Sequence, residues 1–221
     1  MFLPAPRFTA LTNVRVIDSK QGYVAAGGSA TINMPANRSD TLVIAWLAGN
    51  ENSVDSAPTI TGFTSIENES LTTDFPRFRL MYKYGPGATA ILDPNNTQQN
   101  AAYILWSIAN AEASISGSNS SKANDTVAGV PDPPSVTTSA DNSLVLAFGA
   151  VMEITDASGW TAPTGYSGLL TQSANDSLAQ NCVVMSAWKV VSTAGAENPG
   201  TFTHASAANG WGAATIRIAP A

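Results

Sequence analysis

The sequence predicts an all-β protein, folded as a single antiparallel β-sandwich of jelly-roll type from two pseudo-repeated halves. Three observations predict it. Short apolar runs rich in β-branched residues alternate with clusters of turn-forming residues. No capped segment sustains the 3.6-residue period of a helix. And the same series of candidate strands runs along the chain twice.

The strand candidates come first. Leu42–Leu47 and Leu144–Phe148 are compact apolar runs of the kind expected at the centre of a sheet. Phe78–Tyr84 and Cys182–Val191 are longer, with aromatic residues at alternate positions. Turn formers separate them, as in Gly85-Pro86-Gly87, Asp93-Pro94-Asn95-Asn96 and Asn198-Pro199-Gly200. The most helix-like stretch, Gln98–Ala113, has a counterpart, GAATIRIAPA, that reads as a strand, so both are assigned as strands. Weaker strands at Ser29–Met34 and Ser135–Thr138 precede the two series, giving about five strands per half.

The repeat ties these together. SDTLVIAW (Ser39–Trp46) matches DNSLVLAF (Asp141–Phe148), and Thr61-Gly62-Phe63-Thr64 matches Thr164-Gly165-Tyr166-Ser167. Leu80-Met81-Tyr82-Lys83 matches Ser186-Ala187-Trp188-Lys189, and NAAYILW (Asn100–Trp106) matches GAATIRI (Gly212–Ile218). The offset grows from 102 residues (Leu42 to Leu144) to 112 (Asn100 to Gly212), so the second copy has longer loops. One five-stranded sheet leaves an apolar face wet and needs a partner sheet. Packing the halves together supplies it; the alternative is two tandem small sandwiches. The domain reading is an extended N-terminal arm over 1–28, a first β half over 29–116, a linker over 117–134 and a second β half over 135–221. The Pro-interrupted start, MFLPAPRFTALTN, cannot form a helix, and suits an arm laid on a neighbour.

Charge narrows the function classes. Only 12% of residues are charged, about half the usual share, with a net charge of −6 and no cluster of the ten Lys and Arg denser than Arg77, Arg79 and Lys83. Nucleic-acid binding needs a basic stripe and is not expected. No apolar run reaches membrane-spanning length, and no signal-peptide pattern opens the chain. With a lone cysteine, Cys182, the expectation is folding in a reducing cytoplasm. Surfaces depleted of charge also suit burial against other subunits.

Candidate chemistry is sparse. His204 is the one histidine, in a predicted loop and without a Gly-x-Ser-x-Gly elbow, so no catalytic residue is assigned. Cys182 lies in an apolar strand and reads as core. One Cys and one His cannot build a zinc site. The loop carboxylates Asp55, Glu67, Glu69, Asp74, Glu153 and Asp156 lack the spacing of a calcium loop and read as solvated, so no metal or cofactor is expected. Of the five tryptophans, Trp46, Trp106 and Trp188 fall in strands, matched to Phe148, Ile218 and Tyr82, as a core requires. Trp160 and Trp211 are flanked by glycine, and either cap the open ends of the sandwich or read a partner or sugar.

With these residues in view, the chain resembles duplicated β-domains of tailed-bacteriophage virion proteins. The resemblance rests on DNSLVLAF, Gly159-Trp160-Thr161, Pro163-Thr164-Gly165-Tyr166, SAWKVV, GAATIRIAPA and the entry Pro133-Pro134-Ser135-Val136-Thr137-Thr138. It covers roughly Gly27 to Ala221. It implies a non-enzymatic virion protein made in the host cytoplasm, most simply a capsid decoration or cement protein. Its expected partners are the major capsid protein and further copies of itself, reached through Phe2, Leu3, Phe8, Leu11, Trp160 and Trp211. The alternative is a tail-fibre or carbohydrate-binding sandwich.

Overall fold

The computed structural model describes residues 13–49, 57–69, 76–95, 100–125, 129–152, 157–175, 181–206, 208 and 210–221. Apart from one 3-10 turn at Gly117–Asn119, its regular elements are antiparallel strands. The first series is β1 (Arg15–Val24), β2 (Ala30–Asn33), β3 (Leu42–Gly49), β4 (Thr59–Ile60), β5 (Thr64–Glu69), β6 (Arg77–Tyr84), β7 (Thr89–Asp93) and β8 (Ala101–Ala109). The second is β9 (Ser120–Asp125), β10 (Val136–Thr137), β11 (Ser143–Met152), β12 (Ser167–Ala174), β13 (Cys182–Val191), β14 (Ala196–Glu197) and β15 (Trp211–Ile218).

Two five-stranded sheets dominate, ordered β1-β8-β3-β6-β5 and β9-β15-β11-β13-β12. Strand for strand, the second order repeats the first. Each has its own small cover: β2-β7-β4 in the first series, and β10-β14 with a Thr161–Thr203 bridge in the second.

This layering explains the apolar runs. Alternate residues of a strand point to opposite faces. On β3, Leu42, Ile44, Trp46 and Ala48 enter a cluster that also takes Leu144, Leu146, Phe148 and Ala150 of β11 and Ala214, Ile216 and Ile218 of β15. The residues between them, Val43, Ala45 and Leu47, face the other way and pack with Ile32, Ile60 and Leu92 of the small cover sheet. On β11, Val145, Ala147 and Val151 likewise join Val136, Trp160, Tyr166 and Phe202. Every residue of β3 and of β11 is therefore buried. A strand hidden on both faces has no reason to alternate, which is why both read as unbroken greasy runs.

Specific contacts join the two five-stranded sheets. The Trp46 ring lies 4.9 Å from Phe78 and 5.4 Å from Phe148, centroid to centroid. Buried indole N–H groups need acceptors. Trp46 Nε1 donates to the Gly149 carbonyl at 2.9 Å, and Trp106 Nε1 donates to Ser186 Oγ at 2.9 Å. The thiol of Cys182 donates to the Ala48 carbonyl at 3.4 Å. At the margins, Gln21 Nε2 donates to the Thr171 carbonyl at 3.2 Å, Ser120 Oγ donates to Glu67 Oε1 at 2.6 Å, and Lys122 Nζ donates to the Asn68 carbonyl. These last bonds run from one sheet's edge strand to the other's.

Three features differ from the sequence reading. Within the expected 1–28 arm, residues 1–12 lie outside the described residues, but Arg15–Val24 is a sheet strand paired along its length with β8, from Arg15 opposite Ala109 to Val24 opposite Ala101. Within the expected 117–134 linker, Ser120–Asp125 pairs with β15. Both are margin strands whose one paired side leaves polar residues tolerable, so neither carries an apolar signature. Finally, Trp46 pairs with Ile104 while Phe148 pairs with Ala214, which sets the last repeat offset at 110 (214 − 104) rather than 112. The structural counterpart of Trp106 is thus Ile216, not Ile218. An even shift keeps every side chain on its face, so the apolar pattern could not reveal it.

Candidate functional site

Two grooves lie near the same margin of the two series but are shifted along it: at the offset of 110 (217 − 107), Arg217 corresponds to Ser107, which does not line the first groove. Each is bounded by a margin strand, the end of the strand paired to it, and the segment leading into the central strand. The first involves Arg15 and Ile17 of β1, Ala109 and Asn110 at the end of β8, and the Ala36–Thr41 segment before β3, with a volume of about 370 Å³. The second involves Ser120 and Ser121 of β9, Arg217 of β15 and the Ser135–Ser139 segment before β11, with a volume of about 520 Å³. Their walls differ. The first holds Arg15, Arg38 and the carboxylate of Asp40. In the second, every lining residue except Val136 and Arg217 carries a hydroxyl. Arg217 Nη1 donates to Ser139 Oγ at 2.8 Å.

A second polar group sits on the outer face of the β11 sheet. Lys189 Nζ meets Glu197 Oε1 at 2.8 Å, and the same oxygen accepts from the Tyr166 hydroxyl at 3.2 Å. Lys189 also stands 5.8 Å above the Tyr166 ring. Burial first, and the Glu197 charge second, push the Tyr166 phenol well above its usual range. The group is saturated by its own members, and its chemistry is that of a clasp closing β14 over the sheet.

The sequence-predicted residues fall as follows. Phe2, Leu3, Phe8 and Leu11 lie outside the described residues, as do Asp55, Asp74, Glu153, Asp156 and the side chain of Glu69. Glu67 is engaged by Ser120. Among the described residues no three His, Cys, Asp or Glu side chains come together in a metal-binding group. Trp160 is only 6% exposed, packed in the outer core of the β11 sheet, and the His204 ring stacks on it at 4.7 Å. His204 Nδ1 accepts from the Ser206 backbone N–H at 3.1 Å, so the imidazole is held by its own loop. Trp211 is partly buried against the same core. The indole face of Trp160 is therefore covered, and Trp211 is the more accessible of the two. Cys182 is fully buried in the cluster between the sheets.

Arg77 and Arg79 stand out in the sequence only as part of its densest basic cluster, with no sign of their burial. Arg77 is 3% exposed and its Nε, like that of Arg79, is buried without a hydrogen-bond partner among the described residues. Burial depresses the Arg79 guanidinium pKa. On the facing side of the same strand, burial, aided by the charges of Glu112 and Tyr82, pushes the Tyr84 phenol up to about 12. Arg217 was read only as part of a closing strand.

No family model matches the chain, and no curated protein matches it. Among the described residues no helix is long and apolar enough to cross a membrane.

Proposed function

We propose that the chain is a non-enzymatic structural protein of a tailed-bacteriophage virion, a decoration or cement protein that binds the outer shell together with further copies of itself. The observation that carries this reading is the duplicated plan: two five-stranded sheets with one strand order, each with its own cover. That plan agrees with what the sequence resemblance implies. On this reading the two halves form one sandwich sharing the cluster that holds Trp46 and Phe148, rather than two tandem domains. Attachment then depends on the apolar leading segment, with Phe2, Leu3, Phe8 and Leu11 as its anchors, and on pairing along the edge strands. Many weak copies acting together give avidity.

The test is deletion of Met1–Thr12. The truncated chain is expected to keep the circular dichroism and melting behaviour of the full protein, yet to fall at least about tenfold in occupancy on capsids stripped of it, the size expected when a few apolar anchors are lost. Unchanged occupancy would overturn the attachment role. A carbohydrate-binding module is the second reading; the partial exposure of Trp211 favours it over any role for the covered Trp160.

A further inference from the structure

We propose that the hydroxyl-lined groove around Arg217 binds a compact oxyanion, the phosphate or sulfate group of a small ligand. This goes beyond the attachment role and does not depend on it.

The groove's volume of about 520 Å³ lies in the range of small-molecule sites. Its walls include hydroxyls from both sides, Ser121 on one and Ser135, Thr137 and Ser139 on the other, while the Ser120 hydroxyl is already given to Glu67. Arg217 is the single charged residue among them, and no carboxylate or aromatic ring lines the space. Ser139 takes one guanidinium donor, and a guanidinium has five in a planar fork. The donors left over match an oxyanion, which takes paired N–H and O–H bonds better than any neutral group does. The missing aromatic platform argues against recognition of a neutral sugar by stacking. The first groove is lined by two arginines and Asp40, the same net charge of +1 (2 − 1) as the groove of Arg217, and by one hydroxyl residue, Thr41. The two grooves therefore differ in the carboxylate of the one and the hydroxyl lining of the other, not in net charge.

The experiment titrates the full chain, by heteronuclear NMR at low ionic strength, with inorganic phosphate, glucose 6-phosphate and glucose. Saturable shifts confined to residues of β9, β15 and the 135–139 segment are expected with the two phosphates and not with glucose. Arg217→Gln should weaken binding at least about tenfold, as loss of a charge-assisted fork implies. Arg217→Lys, which keeps the charge and the fold but not the fork, should weaken it less. Arg38→Gln in the first groove should leave it unchanged. Tighter binding of glucose 6-phosphate than of phosphate would identify an ester as the ligand, and equal binding the free anion; either supports the site. Absence of saturation with both phosphates, equal binding of glucose, or affinity unaltered in both Arg217 variants would overturn it.

Discussion

Trp46→Ala is expected to lower the unfolding free energy of the whole chain by about 3–5 kcal/mol, the usual cost of emptying a large aromatic site in a core. Trp46 is fully buried, packs on Phe78 of its own sheet and on Phe148 of the other, and donates to the Gly149 carbonyl. Alanine removes both ring contacts and leaves a cavity bounded by two stiff sheets, which have little freedom to collapse into it. For a chain of this length each kcal/mol moves the midpoint by roughly 2–4 °C, so a drop of about 6–20 °C is expected. Thermal and urea melts followed by far-ultraviolet circular dichroism measure it. Because the side chain serves both sheets, the loss should appear in one transition. A melt in which only half the signal shifts would mean that the second series does not depend on Trp46.

Gly212→Ala is the second large effect, and it acts by crowding rather than by loss. Gly212 lies on β15, and a Cβ placed there would stand 2.3 Å from Phe78 Cδ1 and Cε1 on the opposite sheet. That is far inside contact distance, and the Phe78 ring is already held against Trp46 at 4.9 Å. Overpacking of this kind typically costs about 1–3 kcal/mol, and here neither backbone can yield without breaking a ladder. Phe78→Leu alone should destabilise by leaving a gap, yet in the double variant the smaller side chain makes room for the new methyl. The two changes should therefore be non-additive by at least about 1 kcal/mol in urea-melt double-mutant cycles, the signature of residues in contact. Simple additivity would place Gly212 and Phe78 apart.

How far the sequence revealed this arrangement depends on where each strand lies. β3, β6, β8, β11, β13 and β15 were legible because burial on one or both faces demands apolar residues there, and the central pair, covered on both sides, became unbroken runs. β1 and β9 were not. SSKAND pairs through its backbone on one side only, so its composition is that of a loop. The segment RVIDSKQGYV does not alternate, since Val16 is followed by Ile17 and then by polar residues to Gln21, and its single buried residue, Val24, lies at its very end. The cover strands β4 and β14 are two residues long, too short for any periodicity, whereas the equally short β10 falls inside the strand read at Ser135–Thr138. The grooves were hidden for a different reason. Arg217 is a strand residue by pattern, and it becomes the centre of a polar groove only when β9 and the Ser135–Ser139 segment are brought beside it. Each contributes unremarkable serines and threonines. For Trp160 the sequence left two alternatives, a plug of the sandwich end or a reader of a partner or sugar, and the ring is buried under the His204 loop.

Differential scanning calorimetry of the full chain tests most directly whether both series stand or fall together. One endotherm, with a calorimetric enthalpy equal to its van't Hoff enthalpy, is the predicted result. Two separable endotherms, or a calorimetric enthalpy about twice the van't Hoff value, would contradict it and return the chain to a pair of independent domains.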